Sequence, residues 1–105
     1  MSRLREENPA PTLDDPDARL SAWVHGRVQG VGFRWWTRSR ALELGLTGFA
    51  ANKQDGRVHV VAHGPQSACQ KLLDLLEGGE TPGAVDAVVA DWLDAGPPFS
   101  GFVEK

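Results

Sequence analysis

Apolar and polar positions alternate from Leu20 onward, with Leu20, Ala22 and Val24 interleaving with Ser21, Trp23 and His25. That period of two predicts a strand with one buried face. The pattern then stops at Gly26-Arg27-Val28-Gln29-Gly30-Val31-Gly32, and Phe33 to Leu44 follows with good helix formers and no internal glycine or proline. The helix is imperfectly amphipathic: Phe33, Trp36, Ala41 and Leu44 share a broad face, but Thr37 and Arg40 fall in the same arc. Arg40 is expected to lay its aliphatic stem along the apolar surface. Gly45 is placed to cap the helix, and Leu46 to Asn52 and Arg57 to His63 read as two strands around Lys53-Gln54-Asp55-Gly56, where Asp-Gly predicts a hairpin. Gly64-Pro65 opens a second helix with an apolar stripe of Ala68, Leu72, Leu75 and Leu76, closed by Gly78-Gly79. Ala84 to Leu93 reads as a fourth strand with ambiguous alternation, Pro97-Pro98 forbids regular structure, and Phe102-Val103 adds a short terminal edge strand.

The order β-α-β-β-α-β predicts an α+β, ferredoxin-like sandwich, because two helices of this length cover one face of a four-stranded antiparallel sheet. Residues 1–19 stand apart. They carry Pro9, Pro11 and Pro16 among Glu6, Glu7, Asp14, Asp15 and Asp17 without an apolar period, so they read as a disordered tail before a domain over 20–105. This architecture serves enzymes, metal chaperones and RNA binders alike, so function must come from a site.

Composition narrows the classes. A chain of 105 residues holds one core, its 24% charged and 41% hydrophobic residues are ordinary for a globular protein, and the formal net charge is −3. No membrane segment is expected. One cysteine, Cys69, cannot form an internal disulfide, and the first residues lack the apolar run of a secretory signal, so a cytoplasmic protein is expected; a monomer is the expected state. Charge is uneven, however: Ala22 to Leu42 holds Arg27, Arg34, Arg38 and Arg40 and no carboxylate.

A glycine-rich strand-to-helix loop presents backbone N–H groups at a helix N-terminus, where the dipole adds about half a positive charge. A cation in the first helical turn, as Arg34 would be, is unfavourable by roughly 0.3–1 kcal/mol unless an anion lies between it and the loop. Guanidinium matches two phosphate oxygens in a fork. With these features in place, Val24-His25-Gly26-Arg27-Val28-Gln29-Gly30-Val31-Gly32-Phe33-Arg34 resembles the first signature of the acylphosphatase family. A second motif of that family is matched by Gly48-Phe49-Ala50-Ala51-Asn52 followed by Asp55-Gly56-Arg57-Val58, although the family often has Trp or Tyr at Phe49 and Val at Ala50. The resemblance implies hydrolysis of acyl phosphates to a carboxylate and inorganic phosphate. It implies a phosphate-binding loop of Gly26, Arg27, Val28, Gln29, Gly30 and Val31, with Arg34 holding phosphate as a catalytic residue and Asn52 as the catalytic asparagine. An amide is no base, so Asn52 would orient water rather than deprotonate it.

No metal ligand set and no cofactor are expected. His59 and His63, four apart on a strand, are separated by roughly 13 Å at ~3.3 Å per residue, too far for one ion. Cys69 reads as a packed thiol, and the adjacent Trp35 and Trp36 point apart on the helix, one to pack and one toward solvent. Nucleic acid is not expected as a partner: an RNA-binding module on this fold needs a basic, aromatic signature where this chain reads Arg57-Val58-His59-Val60-Val61. The remaining alternative is a phosphate sensor that binds the anion and hydrolyses nothing.

Overall fold

A computed structural model describes residues 15–105. Five strands and two helices follow in the order β1 (Asp17–Arg27), α1 (Phe33–Glu43), β2 (Thr47–Asn52), β3 (Val58–Pro65), α2 (Gln66–Glu77), β4 (Ala84–Leu93) and β5 (Phe102–Glu104). The sheet order is β4-β1-β3-β2-β5. The four longer strands pair antiparallel, and the short β5 pairs parallel to β2, so the expected four-stranded sheet is a five-stranded mixed one. That addition is small in length and large in consequence, because β5 covers the β2 edge beside the hairpin.

Registers explain the core. Leu20 opposes Ala62, Ala22 opposes Val60 and Val24 opposes Val58, while Ala50 opposes Val60 from the other side. All of these side chains are fully buried, and they form the sheet's contribution to one cluster. Onto it α1 places Phe33, Thr37 and Ala41, and α2 places Cys69, Leu72, Leu73 and Leu76. The predicted stripe on α2 is therefore corrected by one position: Leu75 is exposed, and Cys69 and Leu73 take the inward places. Burying a leucine of this kind contributes about 1.5–3 kcal/mol, so Leu72 and Leu76 fix α2 on the sheet. Arg40 does fold back over its own helix, with its guanidinium 5.9 Å from the Trp36 ring and bonded to Glu43 at 2.9 and 2.6 Å.

Residues 1–14, most of the predicted tail, lie outside the described residues. From Asp15 the chain is engaged: the Asp15 carboxylate accepts from Ser67 N at 2.7 Å and Ser67 Oγ at 2.6 Å at the start of α2, Pro16 O accepts from Gln66 N, and β1 begins at Asp17 opposite Pro65.

The sheet face without helices carries a second, half-buried layer. Trp23 stacks on His59 with ring centroids 3.8 Å apart and planes 4° from parallel, and Phe49 meets His59 edge-on at 5.8 Å. Arg57 lies 4.2 Å from the Trp23 centroid and Lys53 lies 6.0 Å from it. His59 is thus enclosed by rings, hydrogen-bonded to Ser21 Oγ at 2.8 Å, and faced by two cations. Burial, then Lys53 and Arg57, hold its imidazole below its ordinary value of 6.5.

Where β1 becomes the following loop, the β1–β4 register shifts between His25 and Gly26. Gly26 has φ 133°, and a Cβ there would sit 2.1 Å from Ala84 O. Gly83, across the same pair of strands, has φ 73°, and its Cβ would sit 2.1 Å from Arg27 O. The two strands approach more closely than any side chain allows, and the resulting bulge turns the chain out of the sheet.

Two outcomes follow from this packing. Above about pH 6.5 His59 is neutral folded and unfolded; as pH falls below that value the unfolded chain takes the proton first, so stability is lost downward through the folded value. Melting temperature should therefore decline between about pH 7 and pH 5, and His59→Gln should flatten that slope. Asp15, held below 3.8 by the Ser67 hydroxyl and amide, and Asp55, held below it by the Arg57 amide, act only at lower pH. A slope unchanged in His59→Gln would assign the effect elsewhere. In urea titrations, Gly26→Ala should lose about 1–3 kcal/mol or more, whereas Gly30→Ala, with φ 74° and nothing within 4 Å, should lose only about 1 kcal/mol. Equal losses would contradict the collision argument.

Candidate active site

The loop begins inside β1. Gly26 and Arg27 are still paired with Val85 and Ala84 of β4, so two of the six predicted loop residues belong to the strand end. Val28 turns inward, 1% exposed, and joins the core. Gln29 is half-buried, Gly30 adopts φ 74°, Val31 is exposed, and Gly32 with φ 83° and ψ 14° caps α1. The cap has no side-chain hydrogen bond and the first turn has no acidic residue. The first helical bond runs from Trp36 N to Gly32 O at 3.0 Å, which leaves the N–H groups of Phe33, Arg34 and Trp35 at the open helix end. Left-handed glycines followed by an uncapped N-terminus aim main-chain dipoles at one spot, the arrangement that attracts an anion.

Beside this end lies a cavity of about 80 Å³ lined by Gly30, Gly32, Arg34, Trp35 and Glu104 among others. At ~30 Å³ per water it holds two or three waters, a volume on the scale of a small anion. A more open hollow of about 430 Å³ lies at the hairpin turn, lined by Asn52, Lys53, Gln54, Asp55 and Arg57.

Arg34 and Asn52 come from elements far apart in sequence and are joined by a single acceptor. The Lys105 main-chain oxygen accepts from Arg34 Nη1 at 2.7 Å and from Asn52 N at 3.1 Å. Lys105 N in turn donates to Ala50 O at 2.8 Å, which continues the β2–β5 ladder to the end of β2. Asn52 is exposed at that strand end and Arg34 is half-buried in the first turn of α1. Arg34 has five N–H donors, of which this contact uses one.

The basic segment divides by task. Arg38 Nε donates to Phe102 O at 3.0 Å and so ties β5 to α1, while Arg40 is engaged by Glu43. Arg27 and Arg34 remain beside the loop. Other titratable groups are structurally occupied: His59 lies in its aromatic stack, His63 is 5% exposed and donates from Nε2 to Gly96 O at 3.1 Å, and burial pushes the Cys69 thiol up to about 11. Trp36 packs on the core and Trp35 is 61% exposed, as the sequence predicts.

Sequence reasoning missed two anchors. The Gln29 side chain leaves the loop, and Nε2 donates to Lys53 O at 2.7 Å and Arg57 O at 3.0 Å in the hairpin. The Lys105 oxygen gathers Arg34 and Asn52, a contact across 71 positions of sequence. The Phe102-Val103 signal predicted an edge strand, but no local pattern says which strand it will join.

Comparison with known proteins identifies the family. The acylphosphatase family model matches residues 20–103. A protein of Mycobacterium sp. (strain JLS) named acylphosphatase is 71% identical over 91 residues, covering 87% of this chain and 97% of that one. Among solved structures, an acylphosphatase from Coxiella burnetii superposes with TM-score 0.77 at 33% identity over 85% of this chain and 93% of its own. An acylphosphatase from Bacillus subtilis gives TM-score 0.78 at 28% identity over 84% and 98%. With the family model matching residues 20–103 and a relative 71% identical over nearly its whole length, the chain belongs to the acylphosphatase family.

Proposed function

We propose that this enzyme hydrolyses acyl phosphates by gripping the phosphoryl group with Arg34 and the main-chain N–H groups of Gly26–Val31, while Asn52 orients the water that attacks phosphorus. The observation that carries the assignment of roles is the shared acceptor, Lys105 O, which sets Arg34 and the main chain of Asn52 within hydrogen-bond distance of one atom.

The chemistry asks little more. The leaving group is a carboxylate with a reference pKa of about 4, so no general acid is needed for it to depart. Water adds to phosphorus as the bond from phosphorus to the acyl oxygen breaks, and the proton of the water passes to a phosphoryl oxygen. The products are a carboxylate and inorganic phosphate. Asn52 supplies an amide oxygen to accept from the water and an amide NH₂ to donate, with no capacity as a base. The protein's contribution is placement and preorganised positive potential, supplied by the loop N–H groups, the open end of α1 and the Arg34 fork. No Lewis acid is required by a leaving group this stable. The Cys69 thiol, buried and shifted upward, takes no part. The same reading has the enzyme working as a monomer in the cytoplasm, on small molecules and not on nucleic acid.

Two variants separate the roles of the two residues. Millimolar inorganic phosphate should raise the parental melting temperature by mass action, since it binds only the folded cradle. Arg34→Lys should lose both that rise and turnover, because a point charge cannot reproduce the fork. Asn52→Ala should keep the rise while kcat falls on the order of 100- to 1,000-fold. Near-parental turnover in a folded, phosphate-binding Asn52→Ala would remove Asn52 from the mechanism. A parental protein that binds phosphate and hydrolyses no acyl phosphate would support the sensor instead.

A further inference from the structure

Gln29 belongs to the phosphate loop by position, but its side-chain amide is bonded to the hairpin. Both hydrogens of Nε2 are used, one on Lys53 O at 2.7 Å and one on Arg57 O at 3.0 Å. Those carbonyls do not need Gln29 to close the hairpin. Lys53 O already accepts from Gly56 N at 3.1 Å, and Arg57 O from Lys53 N at 2.9 Å, so Gln29 occupies the second lone pair of each. What its bonds add is a cross-link between two separate pieces of the site. Among the described residues, no main-chain hydrogen bond joins loop positions 28–31 to the hairpin. Lys53 follows Asn52 directly, so the cross-link grips the hairpin one residue beyond the amide that orients water. The Lys105 oxygen holds Asn52 N on the other side.

We propose that Gln29 is a positioning residue that sets the distance and angle between the phosphate held by the loop and the water held by Asn52. This rests on the roles proposed above for the loop and Asn52. Gln29 touches neither substrate nor water through its amide nitrogen; it acts through Asn52. In-line attack tolerates little error, and a misplacement of about 1 Å can cost roughly 100-fold in rate. Loss of the cross-link should thus appear in kcat and not in phosphate affinity.

Gln29→Leu removes both donors at similar size, and Gln29→Asn keeps the amide while withdrawing it by one methylene. Each is measured for melting temperature, phosphate-induced stabilisation, KM and kcat with a simple acyl phosphate, alone and combined with Asn52→Ala. We expect either folded variant to keep phosphate stabilisation and KM within about twofold while kcat falls about 10- to 100-fold. In the Asn52→Ala background, the same substitution should change kcat by less than about threefold, because the group it positions is already gone. Parental kcat in the Gln29 variants overturns the proposal, and so does a loss that multiplies in full with that of Asn52→Ala. A loss of phosphate stabilisation equal to the loss of rate would also overturn it, since that marks a binding role. The parental enzyme and Asn52→Ala alone test the underlying reading, so failure there is distinguishable from failure of the cross-link.

Discussion

The site depends on a backbone that cannot carry side chains at the places where it turns. Gly26 near the end of β1 and Gly83 just before β4 each approach the opposite chain more closely than a Cβ tolerates, 2.1 Å from the Ala84 and Arg27 carbonyl oxygens respectively, where the register shifts between His25 and Gly26. Gly30 and Gly32 then hold positive φ, which L side chains rarely adopt. With the chain turned this way, Val28 is buried in the core. An anion site made of main chain needs that conformation to exist before the ligand arrives, since a loop that had to order on binding would spend affinity on its own entropy.

Around this loop, positive charge is distributed by function. Four arginines fall between Ala22 and Leu42, and charge alone does not distinguish them. The packing does: Arg38 holds β5 through Phe102 O, Arg40 lies along α1 against Glu43, and Arg27 and Arg34 remain at the loop. Arg34 is itself steadied by Lys105 O, and that oxygen also receives Asn52 N, so the short β5 organises both proposed catalytic residues although it contributes only three strand residues.

The elements with self-contained signals were legible in the chain. Alternation at Leu20, Ala22 and Val24, Asp-Gly at residues 55 and 56, and the glycines flanking both helices gave β1, the hairpin and the helix limits. The exceptions have physical causes. Asp17 and Arg19 read as tail because acid and proline density hides a strand whose partner, β3, lies more than forty residues away. Leu75 fits the apolar period, but α2 rolls so that Cys69 and Leu73 are turned inward. Gln29 looks like any polar loop residue, since what defines it is two carbonyls of a distant turn. Arg34 and Asn52 could be named from motifs, but the atom that joins them could not.

The central claim is that water oriented by Asn52 attacks the phosphorus of a phosphoryl group held by the loop and Arg34. Turnover of an acyl phosphate in ¹⁸O-labelled water, with both products read by mass spectrometry, tests it most directly. The account predicts the solvent label in inorganic phosphate and none in the carboxylate. Label in the carboxylate would mean attack at the acyl carbon, and would contradict it.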